Sequence, residues 1–270
     1  MRGNTRITVH PSFEVLAATT AARLITRLLD VQSERGEATV VLTGGSVGIA
    51  TLKAVAESPA RLAVNWSKVN FWWGDDRFVS ADSPDRNHVQ AAEALLDHIE
   101  VDPARVHVMK PADAGLDVAQ AAAEYAEQLA AAALAEHRAS DDYDGDAGAP
   151  LLPRFDVLLL GIGPDAHIAS LFPEMAGIRT KDAAVVSVTN SPKPPPERVS
   201  LTLGTINSAD EIWLVAAGSD KAGAVALALA GASPVQVPAS GANGRSRTRW
   251  LVDEDAAAKV PGALIARLDA

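Results

Sequence analysis

A chain of 270 residues, 48% hydrophobic and 21% charged, can bury a full core and is accommodated by one large α/β unit. Its net charge of −10 argues against a general nucleic-acid surface, although a local basic pocket could still take an anionic small ligand. The absence of cysteine excludes disulfides and a thiolate nucleophile, and is compatible with a reducing cytosol.

Residues 1–11 carry neither an apolar signal core nor a small-residue cleavage pattern. Ser12 offers a capping hydroxyl and Glu14 a first-turn acid. Val15, Leu16, Ala18, Ala22, Leu24, Ile25 and Leu28 then recur at helical spacing, which predicts a helix. Ala38–Leu42 reads as a β-branched strand that ends in Thr43-Gly44-Gly45-Ser46-Val47-Gly48, with helical sequence beyond. A second strand, Val69–Trp73, runs into Gly74-Asp75-Asp76-Arg77, and Asn87 is placed to cap a helix reaching about His98. A third strand is predicted over 106–109, followed by an Ala-rich helix over 116–137.

The polar, acidic, Gly-rich stretch at 139–153 reads as a flexible surface insertion within a single domain spanning 1–270, since strands and helices alternate similarly on both sides. Further strands are predicted over 155–160, Val185–Val188, Glu211–Ala216 and near 250–252, with a helix over 219–230. This alternation predicts an α/β fold: a mostly parallel, Rossmann-like doubly wound sheet with helices on both faces. The apolar run 222–230 is shorter than the roughly 20 residues that cross a bilayer. A cytoplasmic protein without membrane or nucleic-acid partners is expected.

The strand at 155–160 leads into Gly161-Ile162-Gly163-Pro164-Asp165-Ala166-His167, which can present an imidazole at the carboxyl edge of a parallel sheet. Asp165 could accept a proton from one ring nitrogen of His167 and leave the other free as a base. The Gly44-Gly45-Ser46 turn suits an anion at a helix start, but a tight turn needing small residues would look the same. Neither a P-loop nor a GxGxxG pattern is present. Arg77 could pair with a carboxylate or steady developing negative charge. Asp75 and Asp76, as strand neighbours, face opposite ways, and no second cluster offers metal-ligand spacing; no metal is expected. Lys193 and Arg198 flank three consecutive prolines, forming a stiff basic loop or an incidental linker. His10, His88, His98, His107 and His137 lack comparable settings. Ser46 and Ser170 stand outside any Gly-x-Ser-x-Gly elbow, so a serine nucleophile is not expected.

Four segments in this order resemble the 6-phosphogluconolactonases of the glucosamine-6-phosphate isomerase/6-phosphogluconolactonase family. They are Leu42-Thr-Gly-Gly-Ser46, Trp73-Gly-Asp-Asp-Arg77 with Asn87 downstream, the run from Leu160 to Pro173 containing Asp165-Ala166-His167, and Ser191-Pro-Lys-Pro-Pro-Pro-Glu-Arg198. The resemblance implies metal-free, cofactor-free hydrolysis of 6-phospho-D-glucono-1,5-lactone by a carboxylic-ester hydrolase, and leans towards a monomer. It implies His167 as general base, Asp165 as its orienting partner, and Arg77 as a clamp on sugar or oxyanion. Asp75 would belong to the substrate site, and Gly44, Gly45, Ser46, Lys193 and Arg198 would bind the phosphate.

The family usually has Glu at the position of Asp76 and Gly at that of Ala166. Ala166 is strained if its backbone needs a positive φ. Glucosamine-6-phosphate deaminases share the fold, but they carry Asp-Glu-Tyr after the second strand and an Asn-Glu pair beyond the histidine, and both are missing here. A non-catalytic sugar-phosphate sensor would be expected to carry a DNA-reading segment, and no helix-turn-helix pattern precedes the sheet.

Overall fold

Short apolar runs, buried on both faces as parallel strands require, build the centre of the molecule. The structure, a computed structural model, describes residues 4–139 and 151–269. In chain order the strands are β1 (Asn4–His10), β2 (Ala38–Leu42), β3 (Val69–Trp73), β4 (Asp75–Arg77), β5 (Val157–Gly161), β6 (Val185–Val188), β7 (Arg198–Leu201), β8 (Glu211–Ala216) and β9 (Arg247–Asp253). Six of them form one sheet in the order β1-β9-β8-β5-β2-β3, and every neighbouring pair is parallel.

Side-chain alternation divides the core into two layers. Val41, Leu158, Leu160, Ile212 and Leu214 face one cluster. Val40, Leu42, Val157, Leu159, Trp213 and Val215 face the other. Helices α1 (Phe13–Arg35), α2 (Gly45–Glu57) and α3 (Asn87–Ala94) supply the second layer through residues such as Leu24, Leu28, Leu52 and Ala91. Helix α4 (Val118–Ala139) and the helix Ala222–Leu229 supply the first, through Tyr125, Leu129 and Val225. Ser12 caps α1 as its sequence suggests, its Oγ accepting from Val15 N at 3.3 Å. Gly36 ends the helix at φ 81°, a conformation glycine adopts without penalty.

Several sequence expectations change. Residues 106–109 do not form a strand: Val106 makes one isolated parallel bridge to Phe71, and His107 stacks on Trp72 with ring centroids 3.8 Å apart. Asp75-Asp76-Arg77 is not the tail of β3 but a strand of its own, β4, in an antiparallel sheet ordered β4-β7-β6. Asn87 does not cap α3. Arg86 holds the cap position, and Asn87, first in the helix, turns its carboxamide inward. Edge strand β1 and the helix Gly262–Asp269 were not anticipated. Within the insertion expected at 139–153, residues 140–150 lie outside the described residues, as does the side chain of His137. Among the described residues, no helix is long and apolar enough to cross a membrane.

Candidate active site

Strand β2 lies between β3 and β5, and the chain leaves it first towards β3 and later returns on the other side. The loops leaving the carboxyl ends of β2 and β5 therefore diverge, and open α/β sheets hold ligands in the crevice between such loops. Here Gly161 N donates to Thr43 Oγ1 at 3.2 Å, tying the two loops at their base. Above that tie a cleft of about 280 Å³ opens, lined by Gly44, Gly45, Asp75, Arg77, His167, Lys193 and Arg198 among others.

His167 is held by a tight turn. Gly163 N donates to His167 O at 3.0 Å, and Ala166 N to Gly163 O at 2.8 Å. A Cβ at Gly163 would overlap both the His167 ring and the Asp165 carboxylate, so only glycine lets this turn close over the pair. Ala166 carries φ 67°, so the backbone does need the left-handed conformation that strains a non-glycine residue, and its methyl is buried in the core. His167 Nδ1 lies 2.6 Å from Asp165 Oδ1. With Asp165 accepting from Nδ1–H, Nε2 is the unprotonated nitrogen. Phe172 packs against the imidazole with ring centroids 4.6 Å apart.

Lys193 Nζ completes the group at 3.1 Å from Asp165 Oδ1 and 3.4 Å from His167 Nδ1. Burial alone would push the Asp165 carboxyl up. The His167 hydrogen bond and charge, followed by Lys193, outweigh it and hold Asp165 well below the usual carboxylate range.

The small antiparallel sheet brings in the opposite wall. Arg77 stands directly across from Arg198, and Asp75 across from Ser200, so all four occupy one face. Arg198 belongs to β7 rather than to the basic loop. Its Nε and Nη2 donate to the carbonyls of Pro195, Lys193 and Pro194 at 3.2, 3.1 and 3.0 Å, which pins the proline-rich segment over the cleft. Burial lowers the Arg198 pKa, Asp75 opposes that shift, and Arg77 adds to it.

Two like charges directly opposite on a ladder are unfavourable unless an anion joins them. Asp75 partly fills that role and is itself fixed by Ser170 Oγ at 2.7 Å and Asn87 Nδ2 at 3.3 Å. Arg77 Nη1 donates to Asn87 Oδ1. Its Nε is buried without a hydrogen-bond partner among the described residues.

Asp76 points the other way and is buried against Arg86 at 3.3 Å. Burial raises its pKa, and Arg86 opposes the shift. It supports the wall rather than lining the cleft.

Of the substrate-binding residues selected from sequence, Ser46 does not line the cleft, being exposed on the first turn of α2; Asp165 does not line it either and acts on it through His167. Ser170 is committed to Asp75, as a positioning hydroxyl would be. None of His10, His88, His98 and His107 lines the cleft.

Sequence reasoning missed Lys221 as a lining residue and Asn87 as the link between Arg77 and Asp75. Lys221 follows the carboxyl end of β8, the same kind of position that singled out His167 after β5. Asn87 needs glycine opposite, because a Cβ at Gly44 would overlap its carboxamide.

The family model for glucosamine-6-phosphate isomerases/6-phosphogluconolactonase matches residues 11–250. A 6-phosphogluconolactonase of Streptomyces coelicolor is 51% identical over 266 residues, covering 98% of this chain and 98% of that protein. One from Mycobacterium tuberculosis is 43% identical over 257 residues, covering 94% and 98%. A solved 6-phosphogluconolactonase structure from Trypanosoma brucei superposes with a TM-score of 0.74 at 27% identity, covering 95% of this chain and 99% of that one. Sequence likeness of this depth across nearly the whole length, on the same fold, means that the chain belongs to the glucosamine-6-phosphate isomerase/6-phosphogluconolactonase family.

Proposed function

We propose that this chain hydrolyses 6-phospho-D-glucono-1,5-lactone to 6-phospho-D-gluconate, the lactone-opening step of the oxidative pentose phosphate pathway. Family membership and the high identity to 6-phosphogluconolactonases support the substrate. The observation that carries the chemistry is an imidazole fixed at Nδ1 by a carboxylate, in a cleft walled by cations.

In the proposed reaction, His167 Nε2 takes a proton from water as the water oxygen bonds to the lactone carbonyl carbon, C1. The carbonyl oxygen becomes an oxyanion. Its collapse breaks the bond from C1 to the ring oxygen, which recovers the proton from His167. One water is consumed and one carboxylic acid is formed, with no covalent enzyme intermediate. Asp165 orients the ring and stabilises the transient imidazolium. Arg77, which lines the cleft, faces the sugar or the developing oxyanion. Lys193, Arg198 and the backbone of Gly44 and Gly45 grip the 6-phosphate.

An activated ester needs little beyond this. A positioned base is worth roughly 10²–10⁴-fold, and an oxyanion donor adds roughly 10²–10³-fold. Binding energy from the remote phosphate holds the reacting carbon in place.

The test is a timed lactone-disappearance assay with the spontaneous opening subtracted, comparing wild type with His167→Ala. The variant is expected to lose most turnover while its thermal unfolding stays close to wild type, because the imidazole lines a cleft rather than filling the core. Unchanged turnover would make His167 structural and remove the mechanism.

A further inference from the structure

Away from the cleft, the amino-terminal ends of β8 and β9 carry a second concentration of charge. Glu211 and Trp213 pair in register with Arg247 and Arg249, and Arg249 pairs onward with Arg6 of β1. Residues two apart on a strand share a face. Arg23 and Arg27, one turn apart on α1, lie against the same surface and line a cavity of about 480 Å³ with Asp30, Glu211, Arg247 and Arg249.

The carboxylate at its centre is already saturated. Glu211 Oε2 accepts from Trp213 Nε1 at 2.9 Å and Arg249 Nε at 3.1 Å. Its Oε1 lies 3.4 Å from Arg247 Nη1 and 3.6 Å from Arg27 Nε. Arg27 also reaches Asp210, at 2.8 Å. One buried carboxylate therefore serves three guanidinium groups. The Nε atoms of Arg27 and Arg247 are buried without a hydrogen-bond acceptor among the described residues.

Arg23 adds a fourth guanidinium and forms no ion pair among the described residues. Burial lowers its pKa, Arg249 and Arg247 lower it further, and Glu211 opposes the shift. A structural network pinning α1 to the sheet edge accounts for the partners of Glu211. It does not account for Arg23, which lines the same cavity and forms no ion pair among the described residues.

We propose that this cavity is a second anion site, distinct from the catalytic cleft, that takes a small phosphate-bearing anion. Guanidinium groups present planar donor forks matched to phosphate oxygens. A phosphate anion would meet the excess of the four guanidinium groups over the carboxylates Glu211, Asp210 and Asp30, and would give Arg23 an acceptor.

Trp213 provides the reporter, because its indole N–H is bonded to the carboxylate at the centre of the cluster. The ¹⁵N indole resonance, assigned by its loss in Trp213→Phe, is followed while the full chain is titrated with pyrophosphate, inorganic phosphate and ribose 5-phosphate. Sodium chloride at matched ionic strength is the control. A saturable shift with phosphate compounds and not with chloride is expected. Arg23→Gln should weaken that binding by roughly tenfold or more, with lactone turnover unchanged. Tighter binding of ribose 5-phosphate than of phosphate would identify an organic ester as the ligand, and the reverse order the free anion. No saturable shift, an equal response to chloride, or wild-type affinity in Arg23→Gln would overturn the site.

Discussion

Lys193 shows how one side chain can serve two demands. Its ammonium sits 3.1 Å from Asp165, yet it lines the cleft beside Arg198, where an anionic tail would arrive. The two roles separate experimentally. If Lys193 grips the phosphate, Lys193→Ala should raise KM for the 6-phosphorylated lactone by roughly tenfold or more. KM for the unphosphorylated lactone should stay nearly constant. Equal losses on both substrates would confine Lys193 to orienting Asp165 and His167. Arg198 is the less clean probe, because removing it also frees three loop carbonyls and unpins the segment that presents Lys193.

The turn from β5 to His167 and the β4–β7 ladder divide the labour between them. The turn sets His167, the proposed base, and the ladder sets Arg77 and Arg198. Gly163 is where the turn is most sensitive: its own φ is not in the left-handed region, so alanine fits the backbone, but the new methyl would collide with Asp165 and His167. Gly163→Ala is therefore expected to lower kcat by roughly 10²-fold or more, while thermal unfolding changes little. Retained kcat would show that the Asp165–His167 geometry does not limit the reaction.

This turn was legible in the chain because a long apolar strand, paired glycines and Asp-x-His are all local signals. The ladder was not. Strands of three and four residues, Asp75–Arg77 and Arg198–Leu201, are too short to display a period, and Asp75–Arg77 becomes a strand only by pairing with a segment more than a hundred residues away. The same limit hid the inward turn of Asn87, whose partners Asp75 and Arg77 lie on another element.

Across the molecule, stability depends on keeping polar groups neutral or paired inside the layers. His107 lies flat on Trp72 where a strand was expected, and burial, helped by Arg105, pushes its pKa down to about 4. In the unfolded chain it titrates near its ordinary value of about 6.5. Between those values the unfolded chain binds more protons than the folded one. The His107 contribution is therefore complete above that ordinary value, falls as the pH drops, and is lost by about pH 4. Asp165, with its depressed pKa, begins to lose its contribution only as the pH falls through the ordinary carboxylate range, so its window lies below most of that of His107. Urea midpoints at about pH 7 and about pH 5 should show a drop in wild type that His107→Phe reduces while keeping the ring stack. The same drop in both proteins would place the proton uptake elsewhere.

Most of the central strand and helix alternation, the mostly parallel sheet with helices on both faces and the turn bearing His167 follow from local pattern: apolar runs, caps and glycines act over a few residues and leave their mark in the linear chain. The pairing of Arg77 with Arg198, the placing of Lys193 on Asp165 and the gathering of four arginines around Glu211 depend on distances through space. Electrostatic and packing forces act on those distances whatever the separation along the chain, and so they became visible only once the chain was folded.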